Sequence, residues 1–272
     1  MRGPLILLAH SFRRVRTLVL VMGVLLAAFQ VFLIIVARSL QSSNAFAQIG
    51  SMIPPFMREI MGPSITSFLS FDGLVCVGYF HLAVMGSLVA LSMTLSTTPT
   101  SEIETGFMDL ILARPLARHW IITRSILVTT VSTVALLVMM MIGTWGGLKT
   151  LAPRDVAWPA PGLILSLAAN LGLLMLCWSG VAMAIGAASR RRSVAGALVG
   201  LLALATFLLD YIARAWPPAE SVAWMSPFRY YSPFELLMGS PLPARNLIVL
   251  AGIAIAGFVL AYILFSRRDI SQ

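Results

Sequence analysis

Long apolar runs alternate with short polar connections along most of this chain, and this pattern predicts six membrane-spanning helices. Crossing a hydrocarbon core of about 30 Å takes roughly 20 apolar residues, because an α-helix rises about 1.5 Å per residue. Runs of that length lie at residues 18–37, 74–95, 121–145, 163–188, 194–213 and 247–265. The short alternation of polar and apolar positions that is typical of membrane β-strands is absent from the sequence.

Composition agrees with this pattern. Of the 272 residues, 59% are hydrophobic and 11% are charged, and the mean hydropathy is +0.92. Soluble domains average about 45–50% apolar and about 25% charged residues. We therefore expect an all-α integral membrane protein in which residues 1–272 form a single transmembrane domain.

The arginines predict the orientation, because short cytoplasmic loops carry an excess of Lys and Arg. With the N-terminus inside, twelve of the 19 basic residues lie on the inner face. They are Arg2, Arg13, Arg14, Arg16, Arg114, Arg118, Arg124, Arg190, Arg191, Arg192, Arg267 and Arg268. This distribution predicts a multi-pass protein of the cell (inner) membrane with both termini cytoplasmic. Because these arginines border spans, the net charge of +9 does not indicate a nucleic-acid partner.

The segment before the first span has the spacing of an amphipathic helix. Its apolar positions are Leu5, Leu8, Phe12 and Val15, and Arg13, Arg14 and Arg16 lie among them. This spacing predicts an interfacial helix over residues 1–16 that rests on the inner leaflet. An irregular basic leader is the alternative. The apolar run that follows is too long for a cleavable signal peptide, so we expect an uncleaved first span.

Residues 101–118 form the one densely charged segment of the chain, and they lie between the second and third predicted spans. Ser101 and Glu104 fit a capping box, which predicts a helix that begins at Ser101. Apolar Ile103, Phe107, Leu110 and Ile111 share one face of that helix, and Pro115 ends it. The segment is either a cytoplasmic binding surface or an interfacial connector that turns the chain.

The same segment resembles a motif of the type 2 ABC transporter permeases. In that family the cytoplasmic loop after the second helix reads E-x-x-x-G-T-[LM]-[ED]-L-L-L-[AS]-x-P-[VI]-S-R. Here the corresponding residues are Glu102, Gly106, Asp109-Leu110 and Leu112-Ala113-Arg114-Pro115-Leu116-Ala117-Arg118. Phe107 and Ala117 depart from the pattern, where Thr and Ser are usual. The basic leader, the six spans and Ser226-Pro227-Phe228 before the last span extend the resemblance over nearly the whole chain.

The resemblance implies an export-type membrane subunit that forms a homodimer or a related heterodimer. Each copy would bind a separate cytoplasmic ABC ATPase, which would bind ATP and Mg, so no cofactor is expected in this chain. The segment would act as a coupling helix together with the N-terminal interfacial helix. The implied coupling residues are Glu102, Glu104, Gly106, Asp109, Arg114, Pro115 and Arg118. Charged contacts of this kind select the partner and fix the register.

A few residues inside the spans are candidates for further roles. Gly196 and Gly200 form a GxxxG pair, which lets helix backbones approach closely and makes this face a candidate dimer interface. Asp210 lies four residues before Arg214, so the two can pair at the outer end of the fifth span. His81 is the one ionisable residue deep in the second span, where a hydrogen bond to a neighbouring helix is the simplest use.

An enzymatic role finds no support in the motifs. The sole lysine, Lys149, lies in a near miss to a P-loop in which Leu148 replaces the required glycine. The two cysteines, Cys76 and Cys177, lie within separate spans, and no metal-binding motif is present. The aromatic-rich segment before the last span predicts short helices at the outer surface. A nucleotide-independent secondary transporter, or a membrane scaffold for the maturation of another protein, is the alternative function. Aliphatic and small residues along the spans suit a lipid-like or amphipathic substrate.

Overall fold

The computed structural model of the chain describes residues 2–43, 46, 48, 70–106, 119–153 and 156–267, with side chains from residue 6 onward. The helices are α1 (Arg2–Ser42), α2 (Phe71–Phe80), α3 (Leu82–Ser96), α4 (Thr98–Glu104), α5 (His119–Leu151), α6 (Pro161–Ala188), α7 (Arg192–Ala213), α8 (Pro217–Glu220), α9 (Pro233–Leu237) and α10 (Ala244–Arg267). Two 3-10 helices, Ala223–Met225 and Pro227–Tyr230, lie between α8 and α9. The described residues contain no strand.

Six helices, or helix pairs, are long and apolar enough to cross a membrane, which confirms the predicted all-α architecture. They are α1, the α2–α3 pair, α5, α6, α7 and α10. The short helices predicted between the fifth and sixth spans are also present, as α8, the 3-10 helices and α9.

The N-terminal segment differs from its prediction. Helix α1 has 41 residues and continues through Arg16 without a break, so the predicted interfacial segment is no helix of its own. At about 1.5 Å per residue it is about 60 Å long, roughly twice the thickness of the hydrocarbon core. No proline or glycine pair lies near Arg16 to kink the helix there.

Two pairs of spans, α1 with α5 and α6 with α10, pack closely together, and glycines allow their backbones to approach. A Cβ atom added at Gly143 of α5 would lie 2.6 Å from the backbone of Ala27 in α1. One added at Gly180 of α6 would lie 2.5 Å from the carbonyl oxygen of Ala254 in α10. Neither position has room for a side chain, so small residues set the helix separation in both pairs.

The two pairs run in the directions that six alternating spans require. Gly23 of α1 faces Met139 of α5, and further along both helices Ile34 faces Gly147. Helices α1 and α5 are therefore parallel, as the first and third spans must be. Met183 and Ala187 of α6 cluster with Ala261 and Phe265 of α10, so these two helices are parallel as well.

This arrangement defines two ends of the bundle. The start of α5 meets the ends of α6 and α10 in an apolar cluster that includes Ile122 and Phe265, and Ile103 of α4 packs against it. We call this end the α4 end. The other end, which we call the opposite end, carries the segment between α7 and α10.

The tight α1–α5 contact predicts opposite effects for two glycines on one helix. Gly143→Ala will destabilise the protein by roughly 1–3 kcal/mol, because the added methyl group meets the Ala27 backbone. Gly146→Ala will stabilise it by about 0.5–1 kcal/mol, because nothing lies within 4 Å of the new atom and alanine favours the helix. Thermal unfolding midpoints of both variants in one detergent measure the difference. Equal midpoints would contradict the close approach.

Candidate functional site at the α4 end of the bundle

Helix α4 begins earlier than the capping-box pattern predicts. It starts at Thr98, with Thr97 as its N-cap, so the predicted start at Ser101 is wrong and Ser101 lies inside the helix. Pro99 explains the difference, because proline is pre-organised for the first turn of a helix. Gly106 follows the end of α4 with a φ of +70°, a left-handed conformation that suits glycine and stops the helix.

Glu102 lies on the buried side of α4. Its side chain is only 6% exposed, and its Oε2 atom accepts a hydrogen bond from Nη2 of Arg124 in α5, which is 4% exposed. Its Oε1 atom lies 3.9 Å from Nη1 of Arg14 in α1. A buried charge needs a partner to offset its loss of hydration. The ion pair therefore holds α4 against α5, and the Arg14 contact connects the N-terminal part of α1 to the same carboxylate.

Glu104 makes a second polar connection. It is exposed, and its Oε2 atom accepts a hydrogen bond of 2.9 Å from the backbone N–H of Arg192, the first residue of α7. The first N–H groups of a helix have no partner within the helix, and a carboxylate is favoured at that positive end. Nη2 of Arg192 donates to the Thr94 carbonyl oxygen of α3 at 3.1 Å. Glu104 thus connects α4 to α7.

Side-chain packing also holds α4 against the bundle. Ile103 packs against the apolar cluster formed by the starts and ends of α5, α6 and α10. Thr100 is buried, and its hydroxyl would lie 2.8 Å from a Cβ added at Gly186 of α6. Together with the polar contacts, these interactions attach α4 to several spans. A displacement of α4 must therefore move those spans or break these contacts.

The structure describes three of the seven coupling residues expected from the family resemblance. Glu102, Glu104 and Gly106 are described, whereas Asp109, Arg114, Pro115 and Arg118 lie outside the described residues. The carboxylate of Glu102 faces Arg124 and Arg14 within the chain. Glu104 and Gly106 are exposed.

Arg124 is the residue of this site that sequence reasoning missed. The sequence placed it only among the inner-face arginines that border spans. Instead it is buried and paired with Glu102. The available signal was the position of a carboxylate and an arginine at the facing ends of two successive spans, which is where such a pair can form.

The remaining predicted residues are placed as follows. In α1, Phe12 is half-buried and Arg13, Arg14 and Arg16 are exposed. Gly196 and Gly200 are exposed, and nothing in the described chain lies within 4 Å of a Cβ added at either one. The predicted pair between Asp210 and Arg214 is present, with an Nη2–Oδ2 distance of 2.8 Å.

His81 lies where the second span breaks into α2 and α3. Its backbone leaves the helical conformation, with φ of −59° and ψ of 128°. The break frees the carbonyl oxygen of Tyr79, which accepts a hydrogen bond of 2.8 Å from the hydroxyl of Tyr231. Backbone polar groups need such partners inside a membrane. Burial raises the pKa of Tyr231 well above its usual range, so the phenol remains a donor. The exposed His81 ring contacts Phe29, with ring centroids 5.5 Å apart.

The chain matches no family model, and no curated protein matches it. Among the described residues, no three His, Cys, Asp or Glu side chains lie close enough together to hold a metal ion.

The Glu102–Arg124 pair predicts a strong effect of removing one charge. Glu102→Gln leaves Arg124 buried without a counter-charge and will lower the free energy of unfolding by roughly 3–5 kcal/mol. Glu102→Gln combined with Arg124→Met removes both charges and will recover most of that loss. Glu104→Gln, at an exposed carboxylate, is the matched control and will change stability by less than about 1 kcal/mol. Denaturant unfolding in detergent compares the variants, and equal loss in the single and double variants would contradict the pair.

The hydrogen bond of Tyr231 predicts a local effect at the helix break. Tyr231→Phe removes the donor to the Tyr79 carbonyl oxygen, which leaves a buried acceptor unpaired at a cost of about 1–3 kcal/mol. Amide hydrogen exchange over residues 78–85 will accelerate by about tenfold or more. Tyr230→Phe is the control, because its hydroxyl bonds an exposed carbonyl oxygen that water can satisfy. Equal exchange in both variants would show that Tyr231 does not support the break.

Proposed function

We propose that the chain is the membrane-spanning permease subunit of an ATP-driven ABC exporter. It works as a dimer, and each copy couples to a separate cytoplasmic nucleotide-binding subunit that holds ATP and Mg. The protein lies in the cell (inner) membrane with both termini and the α4 end in the cytoplasm. The match of residues 102–118 to the loop motif of type 2 permeases motivates this assignment.

The ion contacts of Glu102 carry the proposal most directly. A coupling element must be displaced by a partner outside the membrane and must transmit that displacement to the spans. Helix α4 meets this need, because Glu102 joins it to Arg124 and Arg14 while Glu104 joins it to Arg192. In this mechanism closure of the ATPase displaces the segment after α4, and these contacts pass the motion to α1, α5 and α7.

The charge distribution supports the orientation. Arg13, Arg16, Arg191 and Arg267 are exposed at the α4 end. Short cytoplasmic segments are enriched in such residues. The same charges suit an acidic partner surface, where they would speed association and select the partner.

The exposed faces of the spans suit a second copy and an amphipathic substrate. Only 17% of the most apolar stretch of α7 is buried within the single chain, so this helix presents most of its apolar surface outward. Gly196 and Gly200 lie on that exposed surface. A dimer through this face would enclose a path lined by aliphatic side chains, which suits a lipid-like substrate moved outward.

Reconstitution tests the assignment. The chain is co-expressed with candidate P-loop ATPases from the same genome, any complex is purified into nanodiscs, and ATP turnover is measured with and without the chain. A stable complex with chain-dependent ATP turnover supports the proposal. Transport by the purified chain without any ATPase or nucleotide would favour the secondary-transporter alternative, and failure to form a complex with a cognate ATPase would favour the scaffold alternative.

Charge reversal tests the role of the segment after α4. Arg118→Glu will reduce chain-dependent ATP turnover by roughly tenfold, because it places a repulsive charge at the proposed partner surface. Arg38→Glu reverses an exposed arginine at the other end of α1 and will change turnover by less than about twofold. Unchanged complex formation and turnover in Arg118→Glu would contradict the coupling role of this segment.

A further inference from the structure

A cavity of about 670 Å³ opens at the opposite end of the bundle. Asp210 and Arg214 line it at the end of α7, and Arg245 and Asn246 line it at the start of α10. The segment between these two helices forms the rest of its wall. Its volume falls in the range of about 300–1,000 Å³ that is typical of small-molecule sites. None of the contacts at the α4 end involves it.

The charges of this cavity are balanced. Its lining contains the carboxylates of Asp210, Glu220 and Glu235 and the guanidinium groups of Arg214, Arg229 and Arg245. Three positive and three negative groups leave no net charge on the wall. A ligand that carries both signs therefore fits this wall better than an ion of one sign.

Two of the charged pairs are already formed within the chain. Arg214 bonds Asp210 at 2.8 Å, and Arg229 bonds Glu220 at 3.1 Å. Glu235 and Arg245 are different, because neither makes an ion pair with another residue in the described part of the chain. Both side chains are exposed. The cavity thus offers one carboxylate and one guanidinium group to a ligand.

Aromatic rings add a second way to recognise a cation. Trp224, which is 63% exposed, and Phe234, which is 41% exposed, both line the cavity. The faces of such rings attract ammonium groups, and tryptophan does so most strongly. An arginine fork instead matches the oxygens of a phosphate group. The lining therefore combines the chemistry for an ammonium with that for a phosphate.

The position of the cavity indicates what joins these two groups. It lies at the ends of two spans, where the hydrocarbon core gives way to headgroups. Below it, Ile248, Ile255 and Val259 of α10 are exposed. A molecule with its polar end in the cavity has apolar helix surface available for its tails.

We propose that this cavity binds the headgroup of a zwitterionic phospholipid. Arg245 binds the phosphate, while Glu235 and the ring of Trp224 hold the ammonium. The acyl chains lie along the exposed face of α10, which leaves the α7 face to the second copy. Binding of this kind needs neither nucleotide nor a second subunit, so it is independent of the proposed transport function.

Lipid titration of the purified full chain, without ATPase or nucleotide, tests this site. Native mass spectrometry follows binding of a short-chain phosphatidylcholine, the matching phosphatidylglycerol and the matching diacylglycerol. Phosphatidylcholine is expected to bind roughly tenfold more tightly than either of the others, because only it supplies both charges. Free phosphocholine is also titrated, and its affinity distinguishes a site for a lipid headgroup from a site for a soluble zwitterion.

Two variants link the binding to the cavity. Glu235→Gln and Arg245→Gln will each weaken phosphatidylcholine binding by roughly five- to tenfold. Arg267→Gln is the matched control, because it removes an exposed arginine from the other end of the same helix and will leave binding unchanged. Circular dichroism and size-exclusion chromatography verify that all variants remain folded.

Several outcomes would overturn the proposal. Diacylglycerol binding as tight as phosphatidylcholine binding would show that the acyl tails alone determine the affinity. Tighter binding of phosphatidylglycerol than of phosphatidylcholine would show that the cavity is an anion site. Free phosphocholine bound as tightly as the lipid would assign the cavity to a soluble ligand. Equal binding by Arg245→Gln and Arg267→Gln would place the lipid elsewhere on the protein.

Discussion

The buried ion pair between Glu102 and Arg124 is the constraint on which the α4 end depends. A carboxylate and a guanidinium group that are both removed from water are stable only while they remain together. Their separation in the chain is large, so the pair fixes the position of α4 relative to the start of α5. Arg14 adds a contact from α1, and the apolar packing of Ile103 follows from the same placement.

This constraint acts on a frame that is held by a different interaction. In the middle of the bundle, glycines bring α1 against α5 and α6 against α10 at backbone distance. Such contacts lie within the apolar interior and depend on close packing. In a membrane the hydrophobic effect does not drive helices together, because lipid tails are as apolar as the helix surfaces. The frame is therefore rigid in its centre, and the polar contacts are concentrated at its ends. A displacement of α4 would therefore first move the ends of the spans, where they leave the membrane.

The six spans were predictable from the sequence, because each is an apolar run long enough to cross a bilayer and is bounded by charged or polar residues. The start of α4 was not, since Ser101 and Glu104 mimic a cap while Pro99 sets the first turn. The partner of Glu102 also could not be deduced, because pairing depends on which ends of the spans meet. Likewise, the GxxxG spacing of Gly196 and Gly200 drew attention to α7, yet Gly143 and Gly147 of α5, which have the same spacing, are the pair that packs closely against α1.

The length of α1 has a geometric consequence. The roughly 16 residues that precede its apolar part extend about 24 Å, and they are continuous with it. A tilt of roughly 10° about Leu18 would sweep the N-terminal tip through about 4 Å, while Arg14, about 6 Å from that pivot, would shift by only about 1 Å. A partner that moved the tip of α1 by this distance would therefore leave the contact between Arg14 and Glu102 nearly unchanged.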